Sequence, residues 1–178
     1  MAATKNLINY ETGGSITATL PSLASGSAWE SAVVDNSSNK FLDDLITVTF
    51  TIASGTPTSN GPYVNFYAAA SADGTLFPQT QLSNGTTYAT GTGSQSVGAL
   101  GVPPNLRLIG SMALQTTNSA AERTFRTEPM SVARAFGGVL PQKYSIIVEN
   151  QVGVALSSST TTSANNIAHQ PITTTSGN

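Results

Sequence analysis

His169 is the only histidine in the chain, and there is no cysteine. Those two facts bound the chemistry that the side chains can do. Thiolate catalysis, disulfides and Cys-type zinc sites are excluded at once. A Ser–His–acid triad needs its histidine on a rigid scaffold. His169 lies instead in a Ser/Thr-rich segment near the C-terminus, remote from every predicted strand, where geometry is poorly held. It is expected to be solvated or to contact a partner. No serine stands in a G-x-S-x-G context. No general base is therefore expected to activate a nucleophile.

The carboxylates give no clearer pattern. Asp43 and Asp44 are adjacent, so in a strand they point to opposite faces and cannot act as a paired acid and base. They are expected to stand at the start of a strand and block edge association. Nothing in the spacing brings Glu122, Glu128 and Glu149 together. The stretch "DNSSNK" from Asp35 is oxygen-rich, but it lacks the Asp-x-Asp-x-Asp-Gly pattern and closing glutamate of a calcium loop. "GTGSQSVG" from Gly91 lacks the lysine and following helix of a phosphate loop, so a flexible loop is expected. Trp29, Tyr63, Tyr67, Tyr88 and Tyr144 could stack on a sugar, although core packing explains the same residues more cheaply. Tyr88 is set apart from the others by its place in a polar loop. No catalytic, cofactor-binding or metal-ligating residue is assigned.

The elements that would carry any site read as β. "ITVTFTI" alternates Ile46, Val48, Phe50 and Ile52 with Thr47, Thr49 and Thr51, which marks a half-buried strand. "PYVNFYAAA" has apolar groups on both faces, Val64, Phe66 and Ala68 against Tyr63, Tyr67 and Ala69. That suits a strand covered on both sides. "NLRLIGSMALQT" places Leu106, Leu108, Gly110, Met112 and Leu114 on one face. "KYSIIVEN" sets Tyr144, Ile146 and Val148 opposite Ile147 and Glu149. "RTFRTEPMSVARAF" holds a strand or two broken near Pro129. "SITATL" and "WESAVVD" are shorter candidates. Asn60-Gly61, Asp73-Gly74 and Asn84-Gly85 supply turn chemistry between them. No segment sustains a helical period; "SAAERTF" has room for one turn. Leu82–Gly101 reads as a long polar loop with room for a short strand.

Strand and turn spacing together predict an all-β fold, a β-sandwich or jelly-roll-like single domain over residues 14–156. Residues 1–13 are expected to form an N-terminal arm and residues 157–178 a Ser/Thr-rich tail with little to bury. Both are expected to order only on a partner. Removing the tail would on this view leave the β core folded.

Charged residues make up only 9% of the chain, against roughly 25% in ordinary domains. The net charge is −2 and the cations are scattered, so there is no basic footprint for nucleic acid. No apolar run reaches the length of a membrane span. The N-terminus has no signal-peptide core, so synthesis in a cytoplasm is expected. Threonine presents a methyl and a hydroxyl and is cheaper to desolvate than lysine or glutamate. A threonine-covered, charge-poor strand is thus a good contact face, as interface cores are depleted in charge.

Four phrases of the chain carry a resemblance: "VVDNSSNKFLDDLITVTF", "VNFYAAASADGTLFP", "PPNLRLIGSMALQTTNS" and "FGGVLPQKYSIIVENQVGVAL". In this order they resemble a family of small tailed-bacteriophage virion proteins. The likeness spans residues 30–156 apart from the Leu82–Gly101 loop. It implies a non-enzymatic structural role, as a capsid decoration or cement protein on the outside of the head, assembled in the host cytoplasm. The implied partners are the major capsid protein and other copies of the chain, with a trimer expected by analogy. The alternatives are a tail component (tube, baseplate or fibre subunit) and a carbohydrate-binding module for host attachment.

Overall fold

The computed structural model describes residues 5–58, 60–73, 77, 79–81, 87–89, 95–98, 106–115 and 121–177. In chain order the elements are β1 (Lys5–Tyr10), β2 (Gly14–Ile16), β3 (Ser27–Glu30), β4 (Val34–Asp35), β5 (Asp43–Ile52), β6 (Tyr63–Ser71) and β7 (Gln79–Gln81). They continue as β8 (Thr87–Ala89), β9 (Gln95–Gly98), β10 (Arg107–Ala113), β11 (Arg123–Arg126), β12 (Met130–Ser131), α1 (Val132–Ala135), β13 (Lys143–Gln151) and β14 (Asn166–Gly177). No helix among the described residues is long and apolar enough to cross a membrane.

Two antiparallel sheets face each other, so the fold is an all-β sandwich. The first runs β1-β14-β5-β11, with β2 also on β14 and β12 also on β5. The second runs β10-β6-β13-β3-β9, with β4 also on β13. The pairings nest. β1 and β2 pair with β14, β3 and β4 with β13, β5 with β11 and β12, and β6 with β10.

Period-two alternation builds the interior. Ile46, Val48, Phe50 and Ile52 of β5 face Val64, Phe66 and Ala68 of β6 and Tyr144, Ile146 and Val148 of β13, all buried. The Phe50 ring lies 6.1 Å from Phe66 across the sandwich and stacks 5.7 Å from Phe125 on β11. The outer face of the second sheet has its own small cluster, in which Ala28, Ala69, Leu106 and Ile147 are buried beside Tyr67. This explains the two-sided apolar pattern of β6.

The C-terminal segment overturns the tail expectation. Asn166–Gly177 is a twelve-residue strand lying between β5 and the β1/β2 pair. Its Ile167 is buried opposite Val48. Threonine-rich sequence has good strand propensity even when its composition looks like a linker. Pro171 is tolerated because the donor it lacks would face Glu11, in the gap where β1 has ended and β2 has not begun, and the Glu11 carbonyl accepts from Gln170 Nε2 instead. The N-terminal segment likewise orders within the chain, as β1.

Three smaller expectations change. The β10 faces do not alternate throughout, because a bulge falls between Leu108 and Gly110. Leu106 therefore joins the outer cluster and Leu108 is 56% exposed, while Met112 and Leu114 pack on the main core. Thr51 faces outward as expected but is buried there, covered by the segment that carries Ala164 and Asn165, with its hydroxyl donating to the Ala164 carbonyl and meeting Thr124. The single helical turn is α1, capped by the Ser131 hydroxyl, which accepts from Arg134 N–H.

Candidate functional site

Among the described residues, an aspartate, a tyrosine and a histidine meet between the two sheets. β5 turns Asp44 to the same side as Ile46, and β14 turns His169 to that side opposite Ile46. His169 Nδ1 lies 2.8 Å from Asp44 Oδ2. The Tyr144 hydroxyl reaches over from β13 in the opposite sheet and donates to the same oxygen. An ionised carboxylate only accepts, so in that state Nδ1 carries the proton. Asp44 is 1% exposed, and its Oδ1 is buried with no hydrogen-bond partner among the described residues. Burial, and then the Asp44 charge, push the Tyr144 phenol well above its ordinary value.

This arrangement orients a histidine, but no nucleophile completes it. His169 Nε2 faces the backbone of β2, where a side-chain carbon at Gly14 would come within 3.1 Å of it. Among the described residues no hydroxyl hydrogen-bonds to Nε2. What the cluster does is tie β5, β14 and β13 together across the two sheets. The expectation of a solvated His169 is thus corrected. The clue in the sequence was the spacing of Ile167, His169 and Pro171, which puts His169 on a buried strand face once the segment is read as a strand.

Asp43, on the other face, accepts from Ser131 Oγ at 2.6 Å and Ala133 N–H at 2.8 Å, bracing the start of α1. The two aspartates do point apart, but they do not guard an edge, because β5 has neighbours on both sides. Glu122 and Glu128 flank β11, while Glu149 lies on the outer face of the second sheet, so the three do not converge. Glu149 accepts from Asn65 Nδ2, the Tyr67 hydroxyl and Gln151 Nε2 at 3.0–3.1 Å. Burial and then the Glu149 charge push the Tyr67 phenol up to about 12. Nearby, Glu30 accepts from Ser145 Oγ at 2.8 Å. In "DNSSNK", Asp35 accepts from Ser37 N–H and pairs with Lys143 at 3.4 Å, a turn brace. The Ser37 hydrogen bonds, with a smaller contribution from Lys143, hold its carboxyl below the ordinary value. No group of three or more His, Asp or Glu able to hold a metal occurs among the described residues.

The aromatics do not form one platform. Tyr144 is in the interior and Trp29 packs against it, whereas Tyr67 lies on the opposite face of the same sheet. The Tyr88 side chain and Gly91–Ser94 lie outside the described residues.

The exposed surface is distinctive mainly at its edges. Every arginine of the chain falls between positions 107 and 134. β10, β11 and α1, which carry them, lie on one side of the sandwich. Arg107, Arg126 and Arg134 are exposed and have no carboxylate partner among the described residues. Beside Arg134 runs an open groove of about 500 Å³ floored by Leu108, Ile109, Pro129 and Met130. At the other side, β1 leaves Leu7, Ile8 and Tyr10 exposed. Neither a protein-family model, a curated protein nor a solved structure matches the chain.

Proposed function

We propose that the chain is a non-enzymatic structural protein of a bacteriophage virion, acting as a decoration protein on the capsid. The observation that carries this reading is the division of labour among its polar groups. Asp43, Asp44, Glu30 and Glu149 are turned to internal hydrogen bonds that hold the sandwich. Outside, threonine, a group of arginines and apolar side chains at the edges stand beside a few other charges, Asp35, Lys40, Asp73, Glu122 and Glu128 among them, a charge-poor surface that suits contact more than reaction. The sequence phrases that resemble small virion proteins point the same way.

The topology adds support by analogy. Taking β1 with β2, β3 with β4, and β11 with β12 as single interrupted strands, and setting aside the β7-β8 pair and β9 between β6 and β10, leaves four nested antiparallel pairs folded into two sheets. We read this as a jelly roll, an architecture that recurs in viral capsid and lectin domains. Fold alone does not assign function. For the lectin-like alternative the described aromatics offer no shared platform, and a tail location has no feature of its own in its favour.

On this reading the partners are the major capsid protein and other copies of the chain, and the protein resides in the virion. Cryo-electron microscopy of the particle that carries it is the test. Density repeating over the head lattice supports decoration. Density confined to the tail replaces it with the tail-component reading.

A further inference from the structure

We propose that two copies of the chain associate through the exposed edge of β1, antiparallel about a two-fold axis at Ile8. The proposal stands on the geometry of the terminal ribbon and holds whether or not the chain is a virion protein.

β1 is an unusual edge. β14 pairs with β5 only as far as Ile172 opposite Asp43. Beyond that point, residues 173–177 pair with β1 alone. The result is a two-stranded ribbon that projects past the sandwich, and such ribbons are marginal in water by themselves. Ile8 is 66% and Tyr10 64% exposed on one face, and Leu7 is 52% exposed on the other. Soluble proteins usually blunt an edge with charge, proline or a bulge. The β11 edge has Arg123 and Arg126, and the β10 edge has Arg107 and a bulge. β1, "KNLINY", has neither proline nor bulge, and its one charge is at its outer end.

The occupant follows from the free backbone groups and the charges. Glu11 N–H donates to Pro171 O, which fixes the phase of the ladder. Bonding alternates along an antiparallel strand, so Leu7 and Asn9 also bond toward β14. Ile8, Asn6 and Tyr10 then direct their N–H and C=O groups outward. An axis at Ile8 sets Ile8 against Ile8 of the second copy and Asn6 against Tyr10 of the second copy. All are outward residues, so each pair exchanges two main-chain hydrogen bonds. The same register sets Lys5 opposite Glu11 of the second copy, at both ends. The segment "KNLINYE" has opposite charges equidistant from Ile8. An axis at Leu7 would lose that match and place inward-bonding residues at the centre. Pairing about Ile8 brings the exposed isoleucines together and joins the two β14-containing sheets into one.

The test is sedimentation equilibrium of the purified chain and three variants, with circular dichroism as the check on folding. The wild-type chain is expected as a dimer at about 100 μM, the range in which modest interfaces are populated. Ile8→Pro removes an N–H that faces away from β14, so the chain keeps its own ladder. It is expected to weaken dimerisation roughly 10- to 100-fold. Lys5→Glu is expected to weaken it about tenfold, and adding Glu11→Lys to restore it. A monomer at that concentration, a trimer, a dimer indifferent to Ile8→Pro, or a double reversal that fails to rescue would each overturn the proposal.

Discussion

At the scale of single residues, the interior hydrogen bond between Tyr144 and Asp44 has a consequence at alkaline pH. Unfolded tyrosine ionises near its ordinary value of 10.0, while folded Tyr144 stays protonated well above that. Between the two values the folded state binds the extra proton. Stability is therefore complete below pH 10 and falls as pH rises beyond it, by about 1.4 kcal/mol per pH unit from this one group. Tyr67 adds to the loss until its own ionisation near 12. Urea unfolding at successive pH values from 8 to 11 should show a plateau and then this decline. Tyr144→Phe should flatten the decline while lowering stability by about 1–3 kcal/mol at neutral pH, because Asp44 stays buried with one partner fewer. A slope unchanged in the variant would show that Tyr144 is not the group responsible. None of this was legible beforehand. The alternation of β13 shows which face Tyr144 is on, but its partner depends on the opposite sheet bringing Asp44 there and on β14 bringing His169.

At the scale of elements, the strands with large apolar residues at every second position were legible and those without were not. β5 alternates between Ile, Val or Phe and Thr, and its faces follow that pattern as far as Thr51. β14 has only Ile167 and Ile172 as large apolar residues, so its alternation is hidden under threonine. β10 is legible as a strand, but the bulge that reverses its faces has no signature except Gly110, where a side-chain carbon would collide with the Met130 sulfur. The corrected place of β14 reverses an expectation about truncation. Deleting residues 166–178 strips β5 of one neighbour, leaves β1 and β2 without a partner and opens the core at Ile167. The shortened chain is expected to lose its cooperative urea transition or to be insoluble. A truncated chain with a transition near that of the full chain would mean that the remaining strands suffice for the core.

At the scale of the whole molecule, composition disclosed how little charge there is but not where it gathers. The chain carries a net charge of −2, yet its arginines share one side of the sandwich, with Glu122 and Glu128 beside β11, while Asp35, Glu30 and Glu149 lie on strands of the second sheet away from it. Spread over residues 107–134 with no run of positive charge, Arg107, Arg126 and Arg134 are brought to that side because the fold sets β10 at the edge of one sheet and β11 at the edge of the other. Exposed guanidinium groups without an internal partner are well suited to carboxylates on another surface. If the chain decorates a capsid, this side with its apolar groove is the expected contact. Replacing Arg107, Arg126 and Arg134 by glutamate should then abolish the binding of added protein to particles that lack it. Wild-type binding should weaken as salt is raised, since exposed pairs are screened over about 10 Å at 0.1 M. The association of two copies through β1 should survive the triple substitution, because β1 lies at the opposite edge of its sheet from β11. Triple-variant protein that still fills the lattice would move the contact away from the arginines and toward the threonine face of β5.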